Sequence, residues 1–117
     1  MDEKARRREL LADYKQAGPE AGVYRVVNSG NGKLLVGWSL NLASELNKLA
    51  FSKTTRMGTG LDHRLTADVR AFGIDAFSIE ILEKFEPRPD MTTAQIREEL
   101  ATMAELWRES YDAALQY

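Results

Sequence analysis

Few side chains in this sequence have the chemistry of a catalytic or phosphate-binding group. His63 is the single histidine, and an imidazole with a pKa of about 6.5 can act as a base near neutral pH. It follows Asp62 at a predicted helix start, where a solvent-exposed histidine beside a helix cap is the simpler interpretation. Five basic residues can contact phosphate or form an ordinary solvated surface: Lys48, Lys53, Arg56, Arg64 and Arg70.

The composition limits the classes of protein to consider. The chain has 117 residues, of which 44% are hydrophobic and 29% charged, as is typical of one globular domain. It has no cysteine, which excludes disulfides and cysteine-ligated metal sites. The net charge of −2 argues against a generally basic nucleic-acid binder. No apolar run approaches the roughly 20 residues that span a bilayer, and the charged N-terminus lacks the apolar core of a signal peptide. We therefore expect a cytoplasmic protein of bacterial type.

The first half of the chain predicts a helix, a β-hairpin and a second helix. Residues 3–16 carry apolar side chains at helical spacing, with a basic cluster on the opposite side. Residues 22–28 and 33–38 are mostly β-branched or aliphatic, and Asn31-Gly32 between them is a strong signal for a hairpin turn. Asn41 can cap the second helix, which we expect to run to about Phe51.

The second half predicts two further helices and one strand. We expect a polar loop over 52–60, followed by a helix from Asp62 to Phe72 that ends at Gly73. A strand over 77–82 comes next. The last helix begins at a Thr92/Gln95 capping box and runs to about Tyr111. The pattern indicates an α/β (α+β) fold, in which helices flank a small mixed or antiparallel sheet of about three strands.

The hairpin and its surroundings resemble the GIY-YIG nuclease domain. The two signature triplets correspond to Gly22-Val23-Tyr24 and Leu35-Val36-Gly37, and the second is followed by Ser39 and Asn41. The resemblance continues through Phe72-Gly73 and Ile81-Leu82-Glu83 to Trp107, and it covers roughly residues 20–110. We therefore identify residues 20–117 as a GIY-YIG-like domain, a degenerate member of its superfamily, and residues 1–19 as an N-terminal helical extension.

The resemblance implies a metal-dependent endonuclease chemistry and, at the same time, its loss. In the family, a tyrosine positions or deprotonates the attacking water, an arginine stabilises the phosphoryl charge, and a glutamate on a later helix holds a divalent ion. The tyrosine is present in this sequence as Tyr24. The other family positions fall on residues without that chemistry: Leu35 for the second tyrosine, Glu45 for the arginine, Leu49 and Gly60 for histidines, and Ala104 for the metal-binding glutamate.

Neighbouring residues can replace only part of this machinery. Lys48 lies one helical turn from Glu45 and can supply a positive charge, but it lacks the bidentate geometry of arginine. Glu105 follows Ala104, and one position turns a helical side chain by about 100°, so Glu105 reaches a metal only after a shift in register. Tyr24 can also be an ordinary packed tyrosine with its hydroxyl at the edge of the core.

Three functions remain open from the sequence. The first is a nuclease-like domain without catalysis, which binds nucleic acid through phosphate contacts or binds a protein, and which needs no cofactor. The second is a divergent endonuclease that uses Tyr24, His63 and Glu105 with Mg²⁺ or Mn²⁺. The third is a protein-interaction module with no nucleic-acid role, which the pI of about 5.5 favours.

Overall fold

The protein, seen in a computed structural model, is described over residues 19–56 and 61–117. Three strands of this part form one antiparallel sheet in the order β2-β1-β3. They are β1 (Ala21–Asn28), β2 (Leu34–Ser39) and β3 (Phe77–Phe85). The predicted three-stranded sheet is confirmed, in its antiparallel form. Gly32, with φ of +75°, makes the hairpin turn, because a left-handed backbone is accessible to glycine without strain.

The pairing register divides the side chains between two sheet faces. Val26 lies opposite Leu35, and Tyr24 opposite Gly37. Alternation along a strand places Tyr24, Val26 and Leu35 together on what we call the front face. Val23 and Val36 lie on the opposite, back face. The pairing of β1 with β3 shifts by one residue between Val23 and Tyr24. Beyond this shift the pairing resumes, and β3 extends past the predicted end of the strand, as far as Phe85.

Three α-helices flank the sheet in the described residues: α1 (Leu42–Thr55), α2 (Thr66–Phe72) and α3 (Thr93–Glu109). Their N-terminal signals act as predicted. The Asn41 side chain accepts a hydrogen bond from the Ser44 N–H, and Thr92 and Gln95 form both bonds of a capping box. These bonds satisfy N–H groups that the first turn of a helix leaves free.

The helix bounds differ from the predicted ones at three places. Helix α1 runs four residues past Phe51, and the Thr54 and Thr55 hydroxyls bond to the carbonyls of the preceding turn. The predicted 62–72 helix begins as a 3₁₀ turn over His63–Leu65 before α2 starts. Helix α3 ends at Glu109, two residues before the predicted end.

Two apolar cores lie on the two faces of the sheet. The front core packs α1 and the 61–77 region against the sheet, through Val26, Leu35, Leu49, Leu65, Ile74 and Phe77. The back core packs α3 against the sheet, through Val23, Leu34, Val36 and Ala104, with Trp38 and Trp107 at its border. Trp38 is therefore engaged in packing. The layers position the candidate site between α1 and the front face.

The N-terminal predictions lie outside the described residues. These are the helix over 3–16, with its basic cluster, and the extension over 1–19, of which only Pro19 is described. The division of the chain at residue 20 stays a prediction. Among the described helices, none is long and apolar enough to cross a membrane.

Candidate active site

Tyr24 lies on the central strand, and a glycine on the neighbouring strand makes room for its ring. A Cβ atom at Gly37 would come within 2.7 Å of both Cζ and Oη of Tyr24. Real side chains never approach so closely, so the ring lies directly over the Gly37 main chain. The glycine of the second signature triplet therefore positions the tyrosine of the first.

A small hollow on the front face holds Tyr24 together with the residues that replace the family's catalytic groups. Leu35 of β2 and Glu45 and Leu49 of α1 line it beside Tyr24. Leu35 and Glu45 stand at positions that the resemblance assigns to catalytic groups, and the structure brings both beside Tyr24. Residues that the transfer did not single out complete the lining: Val26, Leu61, Asp62, Leu65 and Ile79. The hollow measures about 30 Å³, which is room for about one water molecule.

The electrostatics of this hollow keep Tyr24 protonated. Burial, together with the carboxylates of Glu45 and Asp62, raises the pKa of Tyr24 to about 12, against a smaller opposing effect of Arg64. Both effects disfavour a phenolate, because a buried negative charge loses hydration and is repelled by neighbouring carboxylates. At neutral pH the Tyr24 hydroxyl is a hydrogen-bond donor and a poor proton acceptor.

We expect this raised pKa to be measurable by titration of tyrosinate absorbance in the ultraviolet. The chain has four tyrosines, and the difference between the titration curves of wild type and Tyr24→Phe isolates that of Tyr24. The Tyr24 hydroxyl should titrate near pH 12. Glu45→Gln should lower that pKa, because it removes one of the repelling charges. Since the folded pKa exceeds the unfolded value of about 10, stability from this group is complete below pH 10 and declines toward pH 12. A Tyr24 that titrates near pH 10 would contradict the described environment.

Asp62 is the acidic residue of the site that the sequence did not single out. Its carboxylate accepts hydrogen bonds from Arg64 Nε and Nη2 at 3.0 and 2.8 Å. These bonds hold the pKa of Asp62 at about 2. Asp62 follows a loop and lies two residues before Arg64. In the sequence this position indicated a helix cap and gave no sign that Asp62 borders the site.

The carboxylates beside Tyr24 do not fit Mg²⁺ or Mn²⁺. Glu45 faces Lys48 at 3.4 Å, and Asp62 is held by Arg64. Over residues 19–56 and 61–117, no three His, Asp or Glu side chains are grouped closely enough to hold a metal ion. Mg²⁺ is usually held by one or two carboxylates, with waters and phosphate oxygens as the other ligands, and both carboxylates here already face a cation.

The three candidate catalytic residues do not converge on one site. The His63 side chain is 93% exposed, with its Nδ1 atom 3.6 Å from Asp62. Glu105 lies on α3, which covers the back face, and it pairs with Arg108 at 3.3 Å. Ala104, where the sequence transfer placed the lost metal ligand, is fully buried in the back core and does not border the Tyr24 hollow. Gly60 lies outside the described residues.

Three of the five candidate phosphate-binding residues already have acidic partners. Lys48 pairs with Glu45 and Arg64 with Asp62. Arg56 pairs with Asp75 from the turn before β3. In the described part of the chain, Lys53 and Arg70 make no ion pair. Exposed pairs of this kind are weak, but a phosphate must still displace the carboxylate, so the surface attracts phosphate less than the sequence indicates.

Comparison with known proteins identifies the fold. No protein-family model and no curated protein matches the sequence. Among solved structures, the catalytic domain of the intron endonuclease I-TevI, in a mutant form, is similar with a TM-score of 0.55 and 16% identity over 78% of this chain and 82% of that one. A second structure of the catalytic domain of homing endonuclease I-TevI gives a TM-score of 0.52 and 17% identity, over 83% and 95% of the two chains. I-TevI is a GIY-YIG nuclease. The chain therefore has the GIY-YIG nuclease fold.

Proposed function

We propose that this chain is a nuclease-like domain that does not cleave phosphodiester bonds and that acts by binding a partner, for which we favour a protein. One observation carries the proposal. Glu45 lies beside Tyr24, in a hollow of about 30 Å³, at the position where the resemblance implies a phosphate-stabilising arginine.

The chemistry of phosphoryl transfer explains why this substitution matters. The reaction develops negative charge on the phosphoryl oxygens, and enzymes stabilise it with fixed cations and metal ions. Glu45 and Asp62 present negative charge there. Leu35 and Leu49 can neither donate nor accept a proton, and Tyr24 keeps its own proton at neutral pH. Among the described residues, the cations next to this hollow, Lys48 and Arg64, are paired with those same carboxylates, so none is free to stabilise a phosphodiester group.

The divergent-endonuclease alternative has less support. It requires Tyr24, His63 and Glu105 to act on one phosphate. Tyr24 lies on the front face, whereas Glu105 lies on a helix that covers the back face and pairs with Arg108. His63 points into solvent.

A protein partner is favoured over nucleic acid by the charge distribution. Lys48, Arg56 and Arg64 are already paired, and the chain carries a net charge of −2. Duplex binding draws most of its affinity from phosphate neutralisation. Contacts to DNA or RNA through Lys53 and Arg70 remain the second candidate.

Nicking of supercoiled plasmid tests the absence of catalysis. We expect purified protein with Mg²⁺ or Mn²⁺ to leave the plasmid supercoiled. Nicked or linear product that depends on the metal would overturn the proposal, whatever the partner of the domain.

A further inference from the structure

The two edges of the sheet differ in how their main-chain groups are used. On the β2 edge, the Leu34 carbonyl accepts a hydrogen bond from the Tyr117 N–H at 3.0 Å, and the Val36 carbonyl accepts one from Arg108 at 3.1 Å. Strand β3 forms the other edge. Within the described residues its main chain pairs with β1 alone. Proteins usually block such an edge, because free N–H and C=O groups pair with any extended chain.

Apolar side chains flank this open edge on both faces. On the front, a groove of about 280 Å³ runs between α1 and β3, lined by Leu46, Leu49, Ala50, Lys53, Ser78 and Ile79. On the back, a hollow of about 300 Å³ lies between β3 and α3, where Met103, Leu106 and Trp107 surround it. Leu46 and Ile81 are each 39% exposed, and Leu106 is 61% exposed. An added strand would therefore bury apolar surface on both of its faces.

One cation in the front groove has no acidic partner within the part of the chain that the structure describes. Lys53 lines the groove beside Ser78 and Ile79, and it makes no ion pair with any residue of 19–56 or 61–117. Lys48 and Arg56, its basic neighbours in sequence, both have carboxylate partners. A carboxylate brought into the groove would be partly desolvated there, which strengthens its attraction to the ammonium group.

We propose that the outer edge of β3 binds an extended peptide segment of a protein partner, which adds to the sheet as a fourth strand. Main-chain hydrogen bonds to β3 would supply affinity, and pockets for alternate side chains would supply specificity. The segment carries aliphatic side chains toward Leu46 and Leu106 and an aspartate or glutamate beside Lys53. This inference rests on the proposed protein-binding function. The two can be tested apart, because plasmid nicking tests the absence of catalysis and does not involve β3.

A second copy of this chain fits the edge less well. The front-facing residues of its own β3 are Phe77, Ile79 and Ile81, none of which offers a carboxylate to Lys53. Each copy would also bring Glu83 to the shared edge, and like charges on adjacent strands destabilise pairing.

Random peptides displayed on phage, selected on the immobilised protein, test this proposal. We expect enriched sequences with alternating aliphatic residues and an acidic residue at one end. A synthetic peptide of the enriched sequence should slow amide hydrogen exchange in β3 and leave β2 unchanged. Lys53→Ala should lower the affinity for that peptide by about tenfold, which is the effect of losing one charge-assisted hydrogen bond.

Arg70→Ala is the control, since Arg70 also makes no ion pair within the described residues but does not line the groove, and it should bind the peptide as wild type does. Leu46→Asp should weaken binding by placing charge in the groove. Failure to enrich an alternating pattern, protection outside β3, or equal affinity of Lys53→Ala would each overturn the proposal. Concentration-dependent dimerisation that protects β3 would assign the edge to a second copy and overturn it as well.

Discussion

Glu45→Arg is expected to increase the affinity for duplex DNA by about tenfold at low salt. The substitution replaces a repelling charge by a guanidinium that can make charge-assisted hydrogen bonds to phosphate, and one such bond is worth roughly 1.5–3 kcal/mol. One additional phosphate is neutralised, so the slope of the logarithm of the binding constant against the logarithm of the salt concentration should become more negative by about 0.9. Fluorescence anisotropy of a labelled duplex across a salt series measures both quantities.

Glu45→Gln is the matched control for this experiment. It removes the repulsion without supplying a cation, so its affinity should lie between those of wild type and Glu45→Arg. The substitution costs little stability, because the ion pair of Glu45 with Lys48, one turn along the same helix, is of the weak surface kind. Equal affinities for all three proteins would show that phosphate does not approach this part of the front face.

Phe77→Ala is expected to lower the free energy of unfolding by about 3–5 kcal/mol, the usual cost of truncating a buried phenylalanine. Phe77 is fully buried at the start of β3 and packs in the front core. A loss of this size is a large fraction of the 5–15 kcal/mol by which domains are typically stable. Urea unfolding followed by circular dichroism measures it.

Phe51→Ala provides the comparison within the same protein. Phe51 lies on α1 and is 61% exposed, so its truncation should change stability by only about 0.5 kcal/mol. Similar losses for Phe51→Ala and Phe77→Ala would mean that β3 does not pack on the front core as described.

Features set by local chemistry were predictable from the sequence. The Asn31-Gly32 turn, the Asn41 cap, the Thr92/Gln95 capping box and the stop at Gly73 each depend on a few adjacent residues. The position of Leu35 beside Tyr24 also followed, because hairpin register and side-chain alternation together fix the face on which each side chain lies.

Features that depend on tertiary packing were not predictable. Nothing in the sequence around Ala104 shows that α3 packs on the back face, away from Tyr24. The pairing of Arg56 with Asp75 joins residues 19 positions apart, and it reduces a cationic surface that the sequence alone indicated. Asp62 borders the Tyr24 hollow, and no local motif in the sequence indicates that it does.

The structure also explains why the first signature triplet has a glycine, Gly22. A Cβ atom at Gly22 would come within 2.3 Å of the Glu83 carbonyl oxygen. Gly22 lies beside the place where the pairing of β1 and β3 shifts register, and the two main chains approach closely there. This glycine therefore serves the sheet, whether or not the domain is catalytic.

Cleavage of DNA under conditions that detect a single turnover tests the central claim, that the Tyr24 hollow does not cleave phosphodiesters. Protein in excess over labelled linear, supercoiled and branched DNA is incubated with Mg²⁺ or Mn²⁺, beside Tyr24→Phe and a sample with chelator. We expect wild type, Tyr24→Phe and the chelated sample all to leave the DNA as intact as a sample without protein. Cleavage by wild type that both the chelator and Tyr24→Phe abolish would contradict it.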